Sequence, residues 1–361
     1  MSNQSIAIGP LSGGEYGGVT QHVINIMKHV PRRFRPFGVP TFSTYSPMFQ
    51  RILKPSAKKF RESPFFDPLG FVEIRILIHR NGIIHLHGSP WWPQAYDRPR
   101  GHRSKFVHTM HNYYFKGDFP AEDEVLFEQI NKRALKSYGT ADCVVVVAAW
   151  MKRFLADKIG IEAVHIPNGV DLTELASTSP LRFRAKYEIE EDFVLFAGRL
   201  DRYKRPNLFV KLAVRIPEKR FVMVGRSLTK REVEKYYGGD LPRNLMCLGQ
   251  VPRSDLLDAM SGCRVFVNTA SNEAAGIAIM EAMGLGRPVV AANAFGPTEF
   301  VENEVNGFLF NPDNMNSLEK ALMIAWDSED AGREAARLIR KSYDWRVLSR
   351  HLDETYKAIL G

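Results

Sequence analysis

Short apolar runs separated by stretches with helical spacing recur along this chain, and that alternation constrains its fold more than any other feature. In the first half, Ser5 to Gly9, Gly82 to His87, Lys105 to Thr109 and Cys143 to Val147 read as strands. Helical patterns follow from Val19, with Val23, Ile26, Met27 and Val30 on one face, and again over 121–138 and 148–158. The alternation restarts at Phe193 to Ala197 and runs through Phe221 to Val224, Leu245 to Leu248, Val265 to Asn268 and Val289 to Ala292. Between the first two of these, Pro206 to Val214 reads as a helix with proline in its first turn. Strands separated by helices predict α/β architecture, a parallel sheet with helices on both faces, and here it occurs twice. A chain of 361 residues also exceeds one typical core. The expected units are 1–170, 171–342 and a closing helical segment at 343–361, patterned by Val347, Leu348, Leu352, Tyr356 and Ile359.

Composition narrows the class. Hydrophobic residues at 45% and charged residues at 25% are ordinary for a globular protein. No apolar run reaches the ~18 residues of a spanning helix, and the start of the chain has no signal-peptide pattern, so a cytoplasmic location is expected. Cys143, Cys247 and Cys263 are isolated, which predicts neither a disulfide framework nor a metal site. His85, His87 and His108 alternate along strands and define no metal site either. The net charge of +9 is concentrated: residues 1–170 hold 22 basic and 13 acidic residues, and the remainder holds 27 of each. An anionic partner for the first half, or simply a solvated basic surface, would each account for this. Within that half, Arg51, Lys54, Lys58, Lys59 and Arg61 precede Phe65 and Phe66. Trp91, Trp92 and Tyr96 similarly precede Arg98, Arg100, Arg103 and Lys105. Rings interleaved with cations suit an anionic membrane surface. They could also stack bases, but no nucleic-acid motif accompanies them, and no nucleic-acid partner is expected.

The chemistry concentrates in Thr269 to Pro288. Small and polar residues read as a loop, and a helical pattern begins near Gly276 with Ile277, Met280 and Met283 on one face. Glu273 lies in the loop, while Glu281 lies on the helix among Ile279, Met280, Ala282 and Met283. A carboxylate in such apolar company needs a hydrogen-bond donor, and a sugar diol would serve. The free N–H groups at the helix start would face an anion. An anion and a sugar at one turn suggest a nucleotide sugar. Earlier, Pro10 to Gly18 is a glycine-rich loop between strand and helix, as phosphate cradles are, but it matches neither the dinucleotide nor the ATP-loop pattern.

Glu273, seven residues, then Glu281 and Ala-Met-Gly-Leu-Gly-Arg-Pro-Val-Val resemble the signature of retaining GT-B glycosyltransferases. That large family, glycosyltransferase family four in type, includes glycogen synthase, sucrose synthase and the mannosyltransferases of lipid-linked glycans. The resemblance implies two Rossmann-like domains facing across a cleft, the first binding acceptor and the second nucleotide sugar, with the last helix crossing back to the first. It likens Gly17, Gly18 and Val19 to a G-G-V loop facing the donor diphosphate and acceptor. His111, in H-T-M-H-N-Y-Y, matches a histidine that contacts the transferred sugar. Pro167 to Asp171 is similar to a turn closing the first domain. Gly198-Arg199-Leu200 and Lys204 match cations that bind the diphosphate, where charge builds as the sugar leaves. Because no D-x-D occurs anywhere in the chain, Arg199 and Lys204 would act in place of a metal. Glu273 would hold sugar hydroxyls and Glu281 the ribose. Gly225 and Val251 resemble positions lining the base, and Gly276, Ile277 and Ala278 the helix start facing the nucleotide.

Three departures stand out. Arg205 replaces a glycine, Ala274-Ala275 replaces Gly-Phe, and Phe295 takes the first glycine of a G-G-x-x-E that ends at Glu299. The resulting expectation is a retaining hexosyltransferase without metal or other cofactor. It would use a UDP- or GDP-linked sugar and an acceptor that is a glycan or is lipid-linked, with peripheral docking on anionic membrane. A synthase acting on a small soluble acceptor, and a non-catalytic partner keeping the fold, are the alternatives.

Overall fold

A computed structural model describes residues 5–11, 17–38, 80–88 and 104–361. Six strands form the first sheet: β1 (Ile6–Leu11), β2 (Phe34–Gly38), β3 (Ile83–His87), β4 (Lys105–Met110), β5 (Cys143–Val146) and β6 (Val164–His165). Their spatial order is β2-β1-β3-β4-β5-β6, with every pairing parallel. Helices α1 (Gly18–His29), α2 (Ala121–Thr140) and α3 (Ala149–Ile159) return the chain between strands. The short α4 (Leu172–Leu175) and α5 (Pro180–Tyr187) lead into the second sheet. That sheet comprises β7 (Phe193–Ala197), β8 (Arg220–Val224), β9 (Leu245–Cys247), β10 (Val265–Asn268), β11 (Val289–Ala292) and β12 (Phe308–Phe310). It is also wholly parallel, in the order β12-β11-β10-β7-β8-β9. Around it lie α6 (Pro206–Arg215), α7 (Lys230–Tyr237), α8 (Arg253–Gly262), α9 (Ile277–Gly284), α10 (Met315–Trp326) and α11 (Glu329–Ser342).

The strands of the second sheet read as unbroken apolar runs because both faces are covered. Phe193, Leu195, Val222, Phe266 and Val289 belong to one buried cluster. Their chain neighbours Val194, Phe196, Phe221, Met223, Val265 and Val290 belong to another on the opposite face. Emptying one such place, as Phe266→Ala would, costs about 3–5 kcal/mol.

The last helix, α12 (Trp345–Leu360), leaves the second unit and packs on the first. Trp345, Leu348, Leu352 and Tyr356 share a buried cluster with Ile6, Ile8, Val23, Ile26, Ile83 and Val107. The crossing is fixed at both ends of the helix. Asp344 caps its start by accepting from the Arg346 N–H at 2.9 Å. Further along, the Tyr356 hydroxyl meets His85 Nδ1 at 2.6 Å, and Arg32 pairs with Asp353 at 2.5 Å.

In both sheets the strand order reverses once, between β1 and β3 and between β7 and β10. Open α/β sheets bind ligands at the carboxyl ends of strands beside such reversals. The loops after β7 and β10 carry Arg199, Lys204 and Glu273, and His111 follows β4, next to β3. Strands β2, β6 and β12 have no counterpart in the sequence reading, being short or lying at sheet edges. Residues 12–16 of the glycine loop, the basic segment 51–61 with Phe65 and Phe66, and the 91–103 aromatic and basic segment lie outside the described residues.

Candidate active site

The loop after β7 ends in a 3-10 turn, Arg202–Lys204, which delivers Lys204 to Glu273. Lys204 Nζ lies 2.5 Å from Glu273 Oε2, and Asn268 Nδ2 donates to the same oxygen at 3.3 Å. Burial works against the Lys204 charge, but Glu273 beside it prevails and holds its pKa above the ordinary lysine value. Arg199 donates to the Tyr203 hydroxyl at 2.7 Å and pairs with Asp201 at 2.9 Å. The two loops are tied into one unit. Thr269 Oγ1 donates to the Lys204 carbonyl at 2.7 Å, and the Ser271 N–H donates to the Tyr203 carbonyl at 2.8 Å. Two cations, Arg199 and Lys204, thus share the loop after β7, and Lys204 stands beside the Glu273 carboxylate.

Helix α9 begins at Gly276, whose φ of +67° is left-handed and favours glycine. A β-carbon there would come within 2.9 Å of Ile279 Cδ1 and 3.3 Å of Glu273 Cγ. No side chain caps this helix start, which leaves the N–H groups of Ile277 and Ala278 for an anion. Glu281, one turn on, is 4% exposed. Within the protein its hydrogen-bond donor is Arg253, a partner that the sequence reading did not name. Arg253 Nη2 donates to Glu281 Oε1 at 2.6 Å while the same guanidinium grips Glu174 at 3.0 and 2.9 Å. Burial opposes the Arg253 charge, and the two carboxylates more than offset it, raising its pKa. Among the described residues none bonds Glu281 Oε2. Sequence reasoning missed Arg253, whose one signal is its place two residues after Val251.

Gly225 and Val251 have structural reasons of their own. A β-carbon on Gly225, at φ +142°, would sit 1.7 Å from the Gly198 carbonyl oxygen, so the close approach of the loops after β7 and β8 at this point requires glycine. Val251 is 7% exposed in the cluster with Val224 and Leu257.

Across the cleft, Gly17 starts α1 at φ +127°, another conformation that favours glycine. A β-carbon on Gly18 would lie 3.4 Å from Ile277 Cδ1, so the starts of α1 and α9 face each other. His111 is 7% exposed, and its Nε2 meets His87 Nδ1 at 3.0 Å. His22, one turn into α1, packs edge-on against the His111 ring at 4.8 Å and bonds Asn168 at 2.8 Å. The sequence reading did not single out His22. Burial keeps all three neutral, with His22 pushed down to about 4 and His87 and His111 well below their ordinary value. Their ring nitrogens lie within 4.8 Å of one another. His85 and His108, by contrast, are taken up by Tyr356 and Thr109, and by Ser137 and the Gly88 carbonyl.

The chain carries a Glycosyltransferase Family 4 domain over residues 16–174 and a Glycosyl transferases group 1 domain over residues 181–345. With its paired parallel sheets and returning last helix, it belongs to the GT-B glycosyltransferases. It is 29% identical to the phosphatidyl-myo-inositol mannosyltransferase of Mycolicibacterium smegmatis over 60% of this chain and 57% of that protein. It is 27% identical to the UDP-Gal:alpha-D-GlcNAc-diphosphoundecaprenol alpha-1,3-galactosyltransferase of Escherichia coli over 62% and 60%. The matched region therefore spans less than two thirds of either relative. Among solved structures, Anabaena Alr3699/HepE in complex with UDP and glucose superposes with a TM-score of 0.74 at 20% identity, over 98% of this chain and 100% of that one.

Proposed function

We propose that this protein transfers a hexose from a UDP- or GDP-linked donor to a hydroxyl of a lipid-linked or oligosaccharide acceptor, with retention and without a divalent metal. The observation that carries the reading is the unit formed by Arg199, Lys204 and Glu273 at the uncapped start of α9. In this reading Lys204, Arg199 and the N–H groups of Ile277 and Ala278 receive the diphosphate. Glu273 holds hydroxyls of the departing sugar, and Glu281 accepts from the ribose through its second oxygen. His111, neutral in its buried setting, supports the sugar as a hydrogen-bonding group rather than as a cation. UDP in the HepE complex and the UDP-galactose of the Escherichia coli relative support a nucleotide-sugar donor. The lipid-linked acceptors in both relatives' names support an acceptor of that kind.

The test is a thermal-shift and turnover screen of UDP-glucose, UDP-galactose, UDP-N-acetylglucosamine and GDP-mannose. A ligand that binds the native state raises the melting point. One donor should do so and be hydrolysed or transferred, with the anomeric configuration kept. Binding of none, or inversion at the anomeric carbon, would sink the reading.

A further inference from the structure

The loop that holds Glu273 belongs to the second domain, yet much of its support comes from the first. Asn272 Nδ2 donates to the Tyr113 carbonyl at 3.0 Å and to Asp118 Oδ2 at 2.8 Å. On the other side of Glu273, the Trp150 indole N–H donates to the Ala274 carbonyl at 3.0 Å. Ala275 is buried in a cluster otherwise built from the first domain, with Met110, Ala134, Val146 and Met151. Glu273 therefore sits between two residues that are each bonded across the cleft.

Phe295 stands where the family resemblance expects glycine. Its backbone, at φ 52° and ψ −134°, adopts a conformation that glycine tolerates and other residues rarely hold. The ring packs at 5.1 Å from Phe115 and 5.2 Å from Trp150, both in the first domain. Strain of this kind persists only where the surroundings over-determine it. The next residue, Gly296, presses on the same loop: its N–H donates to the Glu273 carbonyl at 3.0 Å, and a β-carbon on it would meet the Ala274 oxygen at 2.2 Å. Two of the departures from the family pattern, Ala274-Ala275 and Phe295, thus meet at one interdomain seam around Trp150.

We propose that Trp150 and Asn272 are positioning residues that hold Glu273 toward the transferred sugar through bonds across the seam between the two domains. Rate would then depend on the seam, whereas nucleotide affinity would not, because Arg199, Lys204, Glu281 and the start of α9 all lie in the second domain. The proposal rests on the reading of Glu273 as the residue that holds the sugar.

The experiment compares wild type, Trp150→Phe, Asn272→Ala, Glu273→Gln and the double variant W150F/E273Q, using the nucleotide hexose selected by the screen. Trp150→Phe keeps an aromatic ring against Phe115 and Phe295 but loses the N–H donor. Its turnover should fall about five- to tenfold, the effect of one net hydrogen bond, with UDP and GDP dissociation constants within about twofold of wild type. Asn272→Ala should behave alike, and it carries the test should Trp150→Phe melt below assay temperature. In the Glu273→Gln background the tryptophan change should add little, because it acts through Glu273. Unchanged turnover in both single variants overturns the proposal, as do affinity losses matching the rate losses or a double variant whose losses multiply. Full turnover by Glu273→Gln would instead remove the underlying role of Glu273, and the proposal with it.

Discussion

At the scale of single residues, the Glu281–Arg253 pair would join stability to the proposed nucleotide binding. A buried arginine held by two carboxylates is secure, but removing one carboxylate leaves its charge less compensated. Glu281→Ala should therefore both lower the melting point and weaken nucleotide binding. Loss of one charged hydrogen-bond partner costs about 1.5–3 kcal/mol, roughly ten- to hundredfold in affinity. A folded Glu281→Ala protein with unchanged UDP and GDP affinity would refute the ribose assignment. Arg199 and Lys204 make a second claim at this scale. If these two are the cations at the leaving group, as proposed, turnover should survive EDTA. Loss of activity that magnesium or manganese restores would put a metal at the diphosphate. Restoration by zinc alone would point to the ring nitrogens of His22, His87 and His111.

At the scale of elements, α3 has an unusual start. No side chain of its own N-cap residue, Ala148, bonds it. Instead, Glu299 of the second domain accepts from the N–H groups of Ala149 at 2.7 Å and Trp150 at 2.6 Å. An anion at a helix N-terminus satisfies orphan donors and the helix dipole together. Glu299→Ala should cost about 0.5–2 kcal/mol, the usual range for a lost cap, seen as a lower melting point or denaturant midpoint. Glu299→Gln should recover part of this, since its amide oxygen still accepts; equal losses in both variants would mean that charge rather than the hydrogen bond matters. Such a cap also shows where sequence reading stops. The apolar runs of β7, β8, β10 and β11 were legible because burial on both faces leaves no polar interruption. Glu273, Lys204 and Gly276 were legible because their spacing along the chain repeats a family pattern. Arg253 with Glu281, Asn272 with Asp118 and Glu299 with α3 join residues 28, 154 and 150 positions apart, and no local period encodes them. The short edge strands β6 and β12 escaped for a related reason: two or three residues are too few to display any period.

At the scale of the whole molecule, the first domain stores neutral histidines and the sequence gives it the excess positive charge, and each has a consequence. His22 and His108 titrate near 4 in the folded protein because burial disfavours the imidazolium, against 6.5 in an unfolded chain. The unfolded chain therefore binds more protons below pH 6.5, so stability falls from there until the folded-state values near 4 are reached. Between pH 7 and pH 5 each should contribute a loss of roughly 2 kcal/mol, and His85, His87 and His111 push in the same direction. A denaturant midpoint unchanged between pH 7 and pH 5 would contradict this burial. The positive charge bears on the acceptor. Among the described residues no helix is long and apolar enough to cross a membrane. If the basic residues of 51–61 supply contact with an anionic membrane, reversing Lys58, Lys59 and Arg61 to glutamate should release the protein from anionic liposomes. Each basic residue near such a surface contributes about 1 kcal/mol, so three reversals should weaken binding by several kcal/mol, less at high salt. Turnover on a short water-soluble acceptor should change little, because Arg199, Lys204, Glu273 and Glu281 lie in the second domain, while turnover on the long lipid acceptor should fall steeply. Equal losses on both acceptors would move the basic cluster into the active site, and no loss on either would leave it as solvated surface.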